Sequence, residues 1–99
     1  MKTLTICGSM RFAEDMQSIA FALETRHGFN VLQCVYGDGE HLTTDQRAAL
    51  SRAHYQKIDL SDGIYVVDIG GYVGQSTQKE IDYVRAQGKE VLFHTDFHR

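Results

Sequence analysis

The sequence predicts an α/β fold: one domain with a doubly wound, four-stranded parallel sheet in the order 2-1-3-4. Three observations predict it. Short apolar runs alternate with apolar stripes at helical spacing, giving the order β-α-β-α-β-α-β. The third apolar run, Ile64 to Ile69, is almost wholly apolar, which suits a strand covered on both faces. Glycines follow the strands and helices where a chain of this kind has to turn. Right-handed crossovers then leave the 2-1-3-4 order as the natural solution, of the flavodoxin/Rossmann-like kind.

Leu4 to Cys7 is the first strand, stopped by Gly8-Ser9. Phe12, Met16, Ile19, Ala20 and Leu23 form the stripe of the first helix, which ends near His27 with Gly28 as its C′ residue. Val31 to Tyr36 is the second strand, and Gly37-Asp38-Gly39 breaks the chain. Thr43-Thr44-Asp45-Gln46 has the spacing of a capping box and opens a second helix that runs to about Leu60. On that helix Leu50, Ala53, His54, Lys57 and Ile58 lie near one face. After the third strand, Ser76 to Gln87 reads as the third helix, stopped by Gly88, and Val91 to Phe93 as the last strand. The segment from His94 to Arg99 is polar and is expected to stay loose or to pack on a partner subunit.

Composition narrows the function. The chain has 99 residues and a net charge of -3, so nothing in its charge favours nucleic-acid polymers or anionic membranes. No apolar run approaches the roughly 20 residues needed to span a bilayer. The first residues read as a strand and not as a signal peptide, and the two cysteines, Cys7 and Cys34, make no disulfide framework. These features predict a cytoplasmic protein with two buried thiols. A core of this size is sufficient and not generous, so a homodimer or higher homo-oligomer is expected.

The segment from Asp68 through Gly70, Gly71, Tyr72, Gly74 and Ser76 to Glu80 carries most of the functional signal. It leaves a strand, passes three glycines and enters a helix. Glycine lets a ligand approach the backbone, and the helix start offers free N–H groups to phosphate or carboxylate. In a sheet ordered 2-1-3-4 the reversal lies between the first and third strands, where ligands bind at the carboxyl ends. The loop Gly8-Ser9-Met10-Arg11 and the loop from Gly70 therefore face one crevice. The planar fork of Arg11 suits phosphate oxygens. Simpler readings stand beside these. Glu80 fits the N3 position of a capping box from Thr77, Ser9 fits an N-cap, and His54 fits a hydrogen-bonded core histidine. Neither a Walker loop nor a full Gly-x-Gly-x-x-Gly fingerprint occurs. His94 and His98 have the spacing of a metal pair without an evident third ligand.

Cys7-Gly8-Ser9-Met10-Arg11, Ser61-Asp62 and the stretch from Gly70-Gly71-Tyr72 to Glu80 resemble the nucleoside 2-deoxyribosyltransferase-like superfamily over nearly the whole chain. The closer resemblance is to its branch of 2′-deoxynucleoside 5′-monophosphate N-glycosidases. The glycine loop is similar, more loosely, to that of the phosphoribohydrolases of the lysine-decarboxylase-like group. The resemblance implies an enzyme that cleaves or transfers the N-glycosidic bond of a nucleotide or nucleoside, with Glu80 as the nucleophile. Ser9 and Arg11 would hold the 5′-phosphate and Gly8 would admit it. Ser76 would complete the contacts, and Asp68 would bind a ribose hydroxyl or orient Glu80. Such a mechanism requires no metal and no organic cofactor. Two positions depart from the family pattern. Thr5 stands where a tyrosine is usual, with Tyr36 or Tyr72 as candidate replacements, and His54 stands where an aspartate assists the leaving base. The alternative function is a nucleotide-binding regulatory module without catalysis.

Overall fold

The computed structural model describes residues 1–37 and 41–97. The sheet comprises β1 (Thr3–Gly8), β2 (Asn30–Leu32), β3 (Gly63–Val67) and β4 (Glu90–Phe93). All of its pairings are parallel, and the order is β2-β1-β3-β4. The helices are α1 (Ala13–Arg26), α2 (Thr44–Asp59), α3 (Gln75–Ala86) and a short α4 (His94–Phe97). The fold class is the one the sequence predicts.

Strand alternation divides the core in two. Leu4, Ile6, Tyr65 and Val67 point to one face and meet Met16, Ala20 and Leu23 of α1. Cys7, Ile64 and Val66 point to the other and meet Ile58 of α2 and Ile81 and Val84 of α3. Each of these side chains is at most 2% exposed. At about 25 cal/mol per Å² of apolar surface, the two clusters supply the main drive to fold.

The helix signals hold in detail. Thr43 accepts from the Gln46 amide at 3.0 Å while Gln46 Oε1 accepts from the Thr43 amide at 2.9 Å, a complete capping box. Gly28 and Gly88 sit just beyond α1 and α3 with φ of 73° and 71°, as expected of C′ residues.

Three elements differ most from the expectation. The second strand stops at Leu32 instead of reaching Tyr36, because β2 is an edge strand whose register ends at Leu32 opposite Thr5. Beyond it the chain bends away, and Cys34, Val35 and Gly37 line a cleft. Asp38 and Gly39, also read as part of the break, lie outside the described residues. The third strand ends at Val67, so Ile69 belongs to a 3₁₀ turn (Ile69–Gly71). Of the segment after β4, His98 and Arg99 lie outside the described residues, and His94 to Phe97 is not loose. It forms α4, whose Phe97 ring packs edge-on against Tyr65 at 5.7 Å and His27 at 5.0 Å. No helix among the described residues is long and apolar enough to cross a membrane.

Candidate functional site

A cleft of about 560 Å³ opens beside the carboxyl end of β1. Its walls are the loop Gly8-Ser9-Met10, one face of α2 and the N-terminus of α3. The volume is within the roughly 300–1,000 Å³ typical of small-molecule sites. Each wall has a local cause. Ser9 begins a 3₁₀ turn (Met10–Phe12), and its hydroxyl accepts from the Arg11 amide at 3.3 Å. The N-cap reading of Ser9 therefore holds, and Ser9 also borders the cleft. The third helix starts one residue earlier than expected, at Gln75. Its N-cap is Gly74, which has no side chain to satisfy the first amides. Gly74, Gln75, Ser76 and Thr77 all border the cleft, so the start of α3, where backbone amides lack intrahelical partners, forms part of its wall. Gly70 and Gly71 take φ of 66° and 81°, a conformation open to glycine at little cost, and bring the chain round from β3 to α3.

Glu80 does not cap its helix. Its carboxylate reaches across to α2, where Oε1 lies 3.3 Å from His54 Nε2. Cys7 Sγ lies 3.5 Å from the same nitrogen. Both side chains of this contact are largely shielded, at 13% and 14% exposure for His54 and Glu80. His54 Nδ1 is buried without a hydrogen-bond partner. The arrangement is not a nucleophile–imidazole–acid triad, which uses both ring nitrogens in series. Here the thiol and the carboxylate converge on one nitrogen. Burial pushes the Cys7 thiol well above its usual value, and the neighbouring Glu80 charge adds to the shift. Burial likewise raises the Tyr55 hydroxyl, with the Glu80 charge as the second cause.

The structure brings together Gly8, Ser9, Met10, His54, Tyr72, Gly74, Ser76 and Glu80 around the cleft. Asp68, Arg11, Gly70 and Gly71 do not line it. Asp68 is turned toward α4, where it accepts from the Thr95 amide at 3.0 Å and the Thr95 hydroxyl at 2.8 Å. Arg11 stacks over the Tyr72 ring, 3.8 Å from its centroid, and so touches the site through that ring. The candidate tyrosine replacements are also engaged: Tyr36 donates to Gln33 Oε1 at 2.9 Å. No tyrosine hydroxyl of the described residues bonds to Glu80.

Cys7, Arg47 and Lys57 join the site without having been singled out for it. Strand alternation places Cys7 on the same face as Thr5 but nearer the crevice, which the sequence carries in plain form. Arg47, Ser51, His54 and Lys57 follow one another at three- and four-residue steps, so one α2 stripe lines the cleft. The Lys57 ammonium donates to the Gln33 carbonyl at 2.7 Å, which ties the segment after β2 to this wall.

No protein-family model, curated protein or solved structure matches the chain.

Proposed function

We propose that the protein cleaves or transfers the N-glycosidic bond of a nucleoside 5′-monophosphate, with Glu80 as the nucleophile. The observation that carries this reading is the placement of Glu80: a shielded carboxylate in the wall of a nucleotide-sized cleft, beside an uncapped helix N-terminus. In the reaction Glu80 attacks the anomeric carbon as the base departs, forming a glycosyl-enzyme ester, and water or a second acceptor then releases the sugar. His54, in contact with the carboxylate, positions it and is the nearest group able to deliver a proton to the leaving base. Phosphate binding falls to Ser9, the first amides of α3 and the cations Arg47 and Lys57, which lie along the same cleft.

Thr5 takes no part in this scheme. It is fully buried, and its hydroxyl lies 2.6 Å from that of Ser61. The β1 side chain that touches the His54–Glu80 pair is Cys7. That exchange supports a second reading, a nucleotide-binding module without catalysis, because no described hydroxyl polarises Glu80.

Chromatographic detection of free base from a panel of ribo- and deoxyribonucleoside 5′-monophosphates separates the two. Base released by the native protein and not by Glu80→Gln supports the glycosidase. Binding of a nucleotide without release supports the regulatory module.

A further inference from the structure

Cys7, His54 and Glu80 are donors of three different kinds, supplied by β1, α2 and α3, and their ligand atoms all lie within 4.8 Å of one another. A tetrahedral zinc ion, with Zn–S of about 2.3 Å and Zn–N and Zn–O of about 2.0–2.1 Å, sets its sulfur and nitrogen ligands roughly 3.5 Å apart and its nitrogen and oxygen ligands roughly 3.3 Å apart. The two separations that share the imidazole nitrogen are 3.5 Å and 3.3 Å here, and the sulfur and carboxylate oxygen lie within 4.8 Å of each other, so the thiol and carboxylate close in slightly on the ion. The convergence of thiol and carboxylate on one imidazole nitrogen, which defeats a triad, is what a shared metal ion requires.

We propose that Cys7 Sγ, His54 Nε2 and a Glu80 carboxylate oxygen form a three-ligand site for a zinc-type divalent ion, with the fourth position open to the cleft. Thiolate, neutral imidazole and carboxylate are the donor set for a borderline-soft transition metal and not for magnesium or calcium. The charges close: one thiolate and one carboxylate neutralise a divalent cation, so the filled site carries no net charge into a buried setting. Binding forms the bonds to Sγ, Nε2 and the carboxylate oxygen in place of waters of the ion, and it releases to solvent the Cys7 thiol proton and any proton held at His54 Nε2, leaving a neutral imidazole. Nothing among the described residues holds His54 Nδ1, so the affinity should fall about 10–100-fold below that of a fully supported site. An ion bound here ties up one carboxylate oxygen of Glu80 and withdraws charge from the other, which weakens the nucleophile. Zinc should therefore inhibit base release, a consequence that rests on the glycosidase reading, whereas the metal site itself does not.

The test is cobalt(II) titration of the intact protein after chelator treatment. One equivalent should develop the thiolate-to-cobalt charge-transfer band in the near ultraviolet together with intense tetrahedral visible bands, and zinc should bleach both. The charge-transfer band should vanish in Cys7→Ala and remain in Cys34→Ser, which removes the chain's other thiol. His54→Gln and Glu80→Gln should each weaken cobalt binding at least tenfold. These two replace half-buried polar groups and keep the test decisive if Cys7→Ala fails to fold by circular dichroism. A native protein without the charge-transfer band, a band that survives in folded Cys7→Ala, or one lost in Cys34→Ser would overturn the site. A cobalt spectrum with no base release from any nucleotide leaves the site standing and removes the glycosidase.

Discussion

Two carboxylates, Asp68 and Glu80, flank the same loop and have opposite surroundings. Asp68 is 6% exposed and receives two hydrogen bonds from Thr95, one from the backbone and one from the hydroxyl. Glu80 is less buried, its side chain 14% exposed in the wall of the cleft, and the groups that it meets are an imidazole nitrogen and a thiol. A buried carboxylate whose acceptor capacity is filled by its own fold is a structural tie. One held in a cleft by groups that themselves titrate or ligate is placed for chemistry. The sheet thus uses one acid to fasten its last helix and presents the other to a ligand.

The largest expected effect breaks this contrast on the chemical side. Glu80→Gln keeps the side chain's shape and its contact with His54 but removes the nucleophile. Base release should drop on the order of 10³-fold or more while nucleotide binding persists. Retained turnover would transfer the chemistry elsewhere and leave Glu80 as a positioning group.

On the structural side, Asp68→Ala leaves the Thr95 amide and hydroxyl without an acceptor. The expected cost is about 2–3 kcal/mol in a denaturant titration. Base release should then track the folded fraction. Unchanged stability with lost turnover would return Asp68 to the site. Thr5→Val is the milder counterpart on the α2 face. Ser61 donates its hydroxyl hydrogen to the Lys57 carbonyl at 2.7 Å, so Thr5 must be the donor in their 2.6 Å bond. Valine deletes that donor and leaves Ser61 its other bond, for an expected loss of about 1 kcal/mol with no change in base release. A catalytic defect in Thr5→Val would mean that β1 reaches the reacting atoms through Thr5.

The fold was legible because it rests on periodicity. The alternation of Leu4 and Ile6 against Cys7, the stripe from Met16 to Leu23 and the Thr43–Gln46 capping box each specify an element from adjacent residues. The site was legible in its loops and less so in its convergence. Glu80, His54, Ser9 and Tyr72 could be picked out by residue type and position. Whether Asp68 or Cys7 stands beside Glu80 depends on where β3 ends and how the chain leaves it, and strand propensity does not record that. The segment from Gln33 to Gly37 shows the same limit. Its apolar residues mark contact with the cleft and α2, which a reading by propensity assigns to the ladder. The segment from His94 to Phe97 has no periodic signal because one helical turn is too short for one, although Phe97 is the apolar residue that anchors it.

The smallest expected effect sharpens the Asp68 side of the comparison by its pH dependence. Tyr65 is fully buried under α4, and its hydroxyl lies 2.7 Å from His94 Nδ1. Burial, reinforced by the Asp68 charge, pushes its hydroxyl from the usual 10 up to about 12. The folded protein then holds the phenolic proton more tightly than the unfolded chain does. The stabilisation this represents is fully present below pH 10, declines as pH rises through the interval to about 12, and is gone above it. Tyr65→Phe should start lower near pH 8 by about 1 kcal/mol for the lost hydrogen bond, and then lose less stability than the native protein between pH 10 and 12. Converging denaturant-unfolding curves for the two proteins would confirm that the α4 side of the sheet is a closed, proton-holding layer. Parallel curves would mean that α4 opens before Tyr65 titrates, and that the tie made by Asp68 is weaker than its two hydrogen bonds imply.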